Sequence, residues 1–258
     1  MRKIQKLITP LLYVCALFLC ACNSTPEDAK KSAEEKVEAL GKITVSLDSV
    51  QGGSISLTKN FYFLFDGSGS MGESCSEKTK IDGAKEAAIK FLEKLPENSN
   101  IGLLVFGTKT EGECTEELPL TLNGKEQFKA AINRIQPSEG TPLGEAITIG
   151  TQKLVEQYKK QLGYGEYRLI VVTDGECNGA MDMTDACITM SRYEFIAMYS
   201  IGLCLDKTHD LKSFAISYRD ANNYDDLQKA LEQSVAEIQS YDAGAYDSTA
   251  YTKQTIKK

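Results

Sequence analysis

Apolar residues fall along this chain in two patterns. Short unbroken runs, Phe61 to Phe65 and Ile101 to Phe106, and the stretches Leu169 to Thr173 and Glu194 to Leu203, read as strands buried on both faces of a parallel sheet. Between them apolar positions return every third or fourth residue. Ile81, Ala84, Ala88, Phe91, Leu92 and Leu95 precede the helix-ending Pro96. Phe128, Ile132 and Ile135 make a shorter helix; Leu143, Ala146, Ile147, Leu154 and Tyr158 a longer one; Tyr224, Leu227, Leu231, Val235 and Ile238 a closing one. Alternating strands and helices predict an α/β fold, a doubly wound and mostly parallel sheet flanked by helices. Leu118 to Leu122 is expected to return antiparallel to the strand before it, Leu211 to Ile216 to form a helical turn or two, and Tyr218 to Ala221 a final edge strand. Alternation at Ile43, Val45 and Leu47, with a Gly52-Gly53 turn before Ile55 and Leu57, predicts an N-terminal edge hairpin.

The ends differ from this core. Met1 to Ala21 opens with Arg2, Lys3 and Lys6 and continues in an apolar run from Leu7 that is shorter than the roughly 20 residues needed to span a bilayer, as in a secretory signal. Leu19, Cys20, Ala21 and Cys22 resemble the bacterial lipoprotein signal, which implies acylation of Cys22 as the first mature residue; an ordinary signal peptide cut nearby is the alternative. Asn23, not aspartate, follows the cysteine, so the resemblance implies an envelope protein at the outer membrane or periplasmic face rather than the inner membrane. The expected organisation is residues 1–21 signal, 22–42 a polar Glu/Lys spacer, 43–240 one domain, and 241–258 a loosely held tail. The formal net charge is −7, and removing the signal makes it more negative, so nucleic acid and anionic lipid surfaces are poor partners.

The chemistry gathers at the end of the first buried run. In FYFLFDGSGSMG, Phe61 to Gly72, the strand stops at Asp66, and Ser68 and Ser70 follow between glycines that allow tight turns. Ligands bind at the C-terminal ends of strands in open α/β sheets, and oxygen donors converging there suit Mg²⁺. Gly67, Gly69 and Gly72 also satisfy the dinucleotide fingerprint G-x-G-x-x-G. Asp66 would repel a pyrophosphate, the polar stretch Glu73 to Thr79 delays the helix, and no acid ends the Ile101 to Phe106 run. A nucleotide is therefore not expected. Two remote segments complete the pattern: EGTPLGEAI, which places Thr141 in a turn ahead of Pro142 and a helix, and RLIVVTDGE, a buried run ending at Asp174.

Asp66, Ser68, Ser70, Thr141 and Asp174 resemble, in identity and order, the metal-ion-dependent adhesion site of von Willebrand factor type A domains; the resemblance covers roughly Ile43 to Ser240. It implies Ser68 and Ser70 as direct ligands of Mg²⁺ (Mn²⁺ or Ca²⁺ being alternatives), Thr141 as a state-dependent ligand, and Asp66 and Asp174 acting mostly through water. It further implies a protein partner whose Asp or Glu carboxylate completes the shell. The function expected is non-catalytic adhesion or scaffolding, with an accessory role to an AAA-type ATPase or metal-insertion complex as the alternative. A Mg²⁺-dependent phosphohydrolase is the third class, but hydrolysis would require a positioned base or second metal. The sole histidine, His209, lies outside the motif and is expected at the surface at a helix start, and neither serine sits in G-x-S-x-G.

After processing and acylation five thiols would remain, Cys75, Cys114, Cys177, Cys187 and Cys204, in an oxidising compartment. Cys75 and Cys114 are both placed at the C-terminal rim of the sheet, where one bridge would brace the metal loop. The family resemblance implies a local pair between Cys177 and Cys187, leaving Cys204 over; pairing of Cys177 or Cys187 with Cys204 stays open. Zinc is disfavoured because no C-x-x-C occurs. Glu73, Glu77, the acids of 111–117, Glu176, Asp182 and Asp185 are expected to form an acidic rim that selects a carboxylate set among basic or neutral neighbours.

Overall fold

The computed structural model describes residues 26–48, 50–107, 114–175, 177–179, 181–205, 209–231 and 233. The expected signal, Cys22, the tail 241–258, Glu111 to Glu113 and Glu176 lie outside them. A 15-residue helix, α1 (Pro26–Leu40), precedes the domain, where the spacer was expected to be helical or flexible. Then follow β1 (Lys59–Asp66), a small hairpin of β2 (Ser74–Cys75) and β3 (Lys78–Thr79), α2 (Lys80–Lys94), β4 (Asn100–Phe106), β5 (Cys114–Leu122), α3 (Lys125–Arg134) and α4 (Leu143–Lys160). The chain continues through β6 (Glu166–Thr173), α5 (Met183–Ser191), β7 (Ile196–Leu203), a 3₁₀ turn at Asp210–Ser213, β8 (Ser217–Ala221) and a closing helix α6 over 224–231.

The main sheet runs β5-β4-β1-β6-β7-β8, and every neighbouring pair is parallel except β4 with β5. This is the doubly wound, mostly parallel sheet expected from the sequence, with the antiparallel return in place. Its two faces are made by alternation along each strand. From β1, Phe61, Phe63 and Phe65 join one core with α2, α3 and α6, while Tyr62 and Leu64 join the other with α4 and α5. Both sets are fully buried, which is why the run carries no polar alternation. Phe63 is wedged edge-on between Phe91 and Phe128, with ring centroids 5.4 and 4.9 Å away. Because β1 is flanked by β4 on one side and β6 on the other, the chain reverses its direction of winding at β1. The C-terminal ends of β1 and β6 thus bound the crevice where such sheets place ligands.

Residues 43–56 do not form the expected hairpin. Their alternation is real, since exposure alternates residue by residue from Gly41 to Asp48, but among the described residues no ladder partner meets them. Ile43 N–H instead donates to Arg192 O at 2.8 Å and Ser54 N–H to Lys160 O at 2.9 Å, so the segment is strapped across the ends of α5 and α4. One face of an extended strap gives the same period of two as a half-buried strand.

The cysteine pairing also differs from expectation. Cys75 is bridged to Cys204, with Cα atoms 6.2 Å apart, and Cys114, Cys177 and Cys187 are free. The faces of the sheet explain this. Cys75 and Cys204 belong to the core under α2 and α6, whereas Cys114 packs on the opposite core and its Sγ lies 3.9 Å from Pro142 O. The Cys177–Cys187 pair is absent as well: Cys187 lies on the buried face of α5, while Cys177 Sγ is turned to Met181 O at 3.7 Å. The bridge closes a separation of 129 residues and ties the hairpin after the β1 turn to the end of β7.

Replacing Cys75 with Ser is expected to lower the unfolding free energy by about 2–4 kcal/mol, as for loss of a long-loop disulfide. Cys114→Ser, at a free and partly buried thiol, should lower it by no more than about 1 kcal/mol under the same oxidising conditions, measured by urea titration.

Candidate functional site

The turn after β1 is built around one carboxylate. Asp66 closes the strand with no exposure, and its Oδ1 accepts the Ser68 N–H at 2.8 Å, a local bond that curls the chain back on itself. Gly67 N–H donates to Phe106 O at 2.8 Å, fixing the turn to the end of β4. The two serine hydroxyls lie side by side, 3.1 Å apart, and Ser70 Oγ donates to Asp174 Oδ1 at 2.8 Å. Asp174 directly follows β6, so four of the five expected residues form one continuous network across adjacent strand ends.

Thr141 comes from a different direction. Its loop docks on the first through Ser138 N–H donating to Gly67 O at 2.8 Å. The approach is tight: Gly107, at φ +80°, leaves room that a β-carbon would take up 2.5 Å from Gly140 O and 2.9 Å from Ser68 N. Asn178 then clamps the loop, donating its own N–H to Thr141 O at 3.1 Å and accepting the Thr141 N–H on Oδ1. A β-carbon placed on Gly175 would stand 3.8 Å from Ser70 Oγ and 3.9 Å from Thr141 Oγ1, so both hydroxyls border the turn after Asp174. All five predicted residues therefore meet at one edge of the sheet.

Three further contributors were not foreseen. Thr173 Oγ donates to Asp66 Oδ2 at 2.6 Å; its only signal in the sequence is its place just before Asp174. Lys80, the first residue of α2, is buried and donates to Asp174 Oδ2 at 2.8 Å and to Glu73 Oε2 at 3.1 Å. Burial pulls its ammonium pKa down, but the bonds to Asp174 and Glu73 more than offset this, so it stays charged. Nothing in the sequence marks it. His209 is buried rather than at the surface: its Nδ1 accepts the Leu211 N–H at 3.1 Å, which leaves the proton on Nε2 to donate to Gly175 O at 3.0 Å. It caps the 3₁₀ turn, as a helix-start position would, and holds the turn after Asp174.

Several of the acids expected at the rim, among the described residues, have partners of their own. Glu116 turns down the sheet to accept from Tyr62 OH at 2.8 Å and Lys153 at 2.7 Å, Glu117 pairs with Arg134 at 3.7 Å, and Asp182 caps α5.

Asp66 and Asp174 are both buried, yet they are compensated differently. Asp174 has an ammonium; the donors to Asp66 are neutral, the Ser68 N–H and the Thr173 hydroxyl. Burial first, and then the charge of Asp174, push the Asp66 carboxyl up to about 6. A buried carboxylate without a cation is costly, and a divalent ion would relieve it. The donors offered are hard oxygens, two carboxylates and three hydroxyls, a set suited to Mg²⁺, Mn²⁺ or Ca²⁺. Among the described residues no group of three or more His, Cys, Asp and Glu side chains is placed to hold a metal, so any ion here depends on the hydroxyls.

A doubly wound α/β domain with a hydroxyl and carboxylate cluster at its switch point is the class defined by this geometry. More narrowly, residues 61–176 match the profile of the von Willebrand factor type A domain. Domains of this family often bind a divalent metal. The chain is 29% identical over 213 residues to the uncharacterized protein YwmD of Bacillus subtilis (strain 168), covering 75% of this chain and 93% of that protein. Among solved structures it resembles an aerotolerance-related membrane protein from Bacteroides fragilis NCTC 9343, with a TM-score of 0.55, 19% identity, and 69% of this chain and 99% of that chain covered. Proximal thread matrix protein 1 from the mussel byssus, solved with a zinc occupied MIDAS motif, aligns with a TM-score of 0.56 at 18% identity over 70% of this chain and 48% of that chain. At these identities the two structures support the fold alone.

Since folding raises the pKa of Asp66, the metal-free protein favours the neutral acid, and its stability falls as pH rises from the ordinary aspartate range through about 6. Cation binding needs the carboxylate and has the opposite slope. The affinity of a divalent cation for these oxygens, measured by calorimetry, would be level above pH 7 and weaken by up to about tenfold per pH unit below about 6.

Proposed function

We propose that this protein is a non-catalytic, Mg²⁺-dependent protein-binding module of a lipid-anchored bacterial envelope protein. The observation that carries the reading is the fully buried Asp66, with neutral donors only, in a continuous network with Ser68, Ser70 and Asp174 and with Thr141 brought alongside. Ser68 and Ser70 would ligate the ion directly, Thr141 would join them in one state of the site, and Asp66 and Asp174 would balance charge, mostly through water. When bound, Mg²⁺ supplies a positive centre with an open position for one carboxylate oxygen of a partner's Asp or Glu. The residues around it are suited to holding rather than to hydrolysis. His209 Nε2 is committed to Gly175 O, and its Nδ1 to Leu211 N–H, so the imidazole has no ring nitrogen left to take a proton from water.

α1 packs against α5 and the 3₁₀ turn with Ala33 buried, so attachment through Cys22 would hold the domain by a docked helix rather than by a free spacer. Among the described residues no helix is long and apolar enough to cross a membrane.

The reading is tested with purified protein and a pull-down from envelope extract. Saturating Mg²⁺ should raise the thermal midpoint, by linkage equivalent to about 2.7 kcal/mol at 100 times Kd. Asp66→Ala and Ser70→Ala should abolish that rise together with Mg²⁺-dependent capture of a partner. Capture that persists unchanged in EDTA would refute the metal bridge.

A further inference from the structure

The ammonium of Lys80 is buried at the same edge of the sheet as the candidate metal ligands, bonded at 2.8 Å to an oxygen of Asp174 whose side chain has no exposure. A divalent ion held by Asp66 and Asp174 alone would be formally neutralised. With Lys80 committed to Asp174, the same ion keeps one unit of positive charge. Glu73 also reaches Lys80, at 3.1 Å, but its side chain is 69% exposed and its charge is screened by solvent. The excess charge is thus left for a group arriving from outside, and one carboxylate removes it.

Resting on the metal-dependent reading above, we propose that Lys80 is the residue that makes ion retention conditional on the partner. It weakens the site's own hold on Mg²⁺ and strengthens the ion's demand for a single carboxylate. The lysine acts through Asp174 and through its field, not by touching the partner, so it is a positioning and specificity-determining residue. Such a site binds the ion more weakly on its own than it does with a partner carboxylate present, giving positive coupling between the two ligands.

Calorimetric titration of the full chain with Mg²⁺, without and with acetate as the probe carboxylate, tests this in wild type, Lys80→Gln, Lys80→Met and Lys80→Arg. Lys80→Gln keeps a donor for Asp174 without the charge and guards against misfolding of Lys80→Met. The neutral variants should bind Mg²⁺ about tenfold more tightly than wild type without acetate, on the scale expected of a unit charge a few ångström from a divalent ion. They should also lose most of the gain that acetate gives wild type, while Lys80→Arg keeps it. Equal or weaker Mg²⁺ binding by both neutral variants, with wild type still binding and Asp66→Ala not, would overturn the role of Lys80 and leave the metal site standing. No Mg²⁺ binding by any of these proteins would overturn both.

Discussion

The structure turns on a carboxylate buried at the end of its central strand. Asp66 is put there by the most hydrophobic run of the chain, whose phenylalanines fill one core while Tyr62 and Leu64 fill the other. Such a strand cannot shift along its axis without exposing several aromatic side chains, each worth roughly 1.5–3 kcal/mol of burial. The position of the carboxylate is therefore dictated by packing far from it. What the packing leaves unsatisfied, a negative charge met only by neutral donors, is what the site has to offer a ligand.

Around that charge the chain spends its special conformations. The tight glycine at position 107 lets the loop of Thr141 come against the Ser68 turn, Asn178 clasps that loop from the other side, and His209 secures the turn beyond Asp174. The Cys75–Cys204 bridge fastens the hairpin that leads from the serine turn into α2, the helix that delivers Lys80. Rigid sheet ends thus supply Asp66 and Asp174, two braced loops supply the hydroxyls, and the start of α2 supplies the ammonium. A site built in this way has its ligands oriented before any cation arrives, which lowers the ordering cost of binding.

Much of this is legible in the chain because burial on both faces leaves a plain signature. The runs ending at Asp66 and Asp174, and the periodic helices between them, have one physical interpretation each. Misreadings arise where two arrangements share a period. The alternation from Ile43 to Leu47 serves a strap over α4 and α5 as well as it would a hairpin. The helix α5 went unforeseen because buried residues fall on several sides of MTDACITMS, which blurs its periodicity. Cysteine pairing depends on which face of the sheet each thiol reaches, and that is a property of topology rather than of spacing. Lys80 is the clearest case: a lysine at a helix start looks like any solvated cation until the strand bearing Asp174 is placed beside it.

The central claim is that a cation belongs among these oxygens. The most direct measurement is an anomalous difference map from crystals grown with Mn²⁺. The account predicts one strong peak in contact with the hydroxyls of Ser68 and Ser70, between Asp66 and Asp174. A map with no peak there, or with the bound ion elsewhere in the molecule, would contradict it.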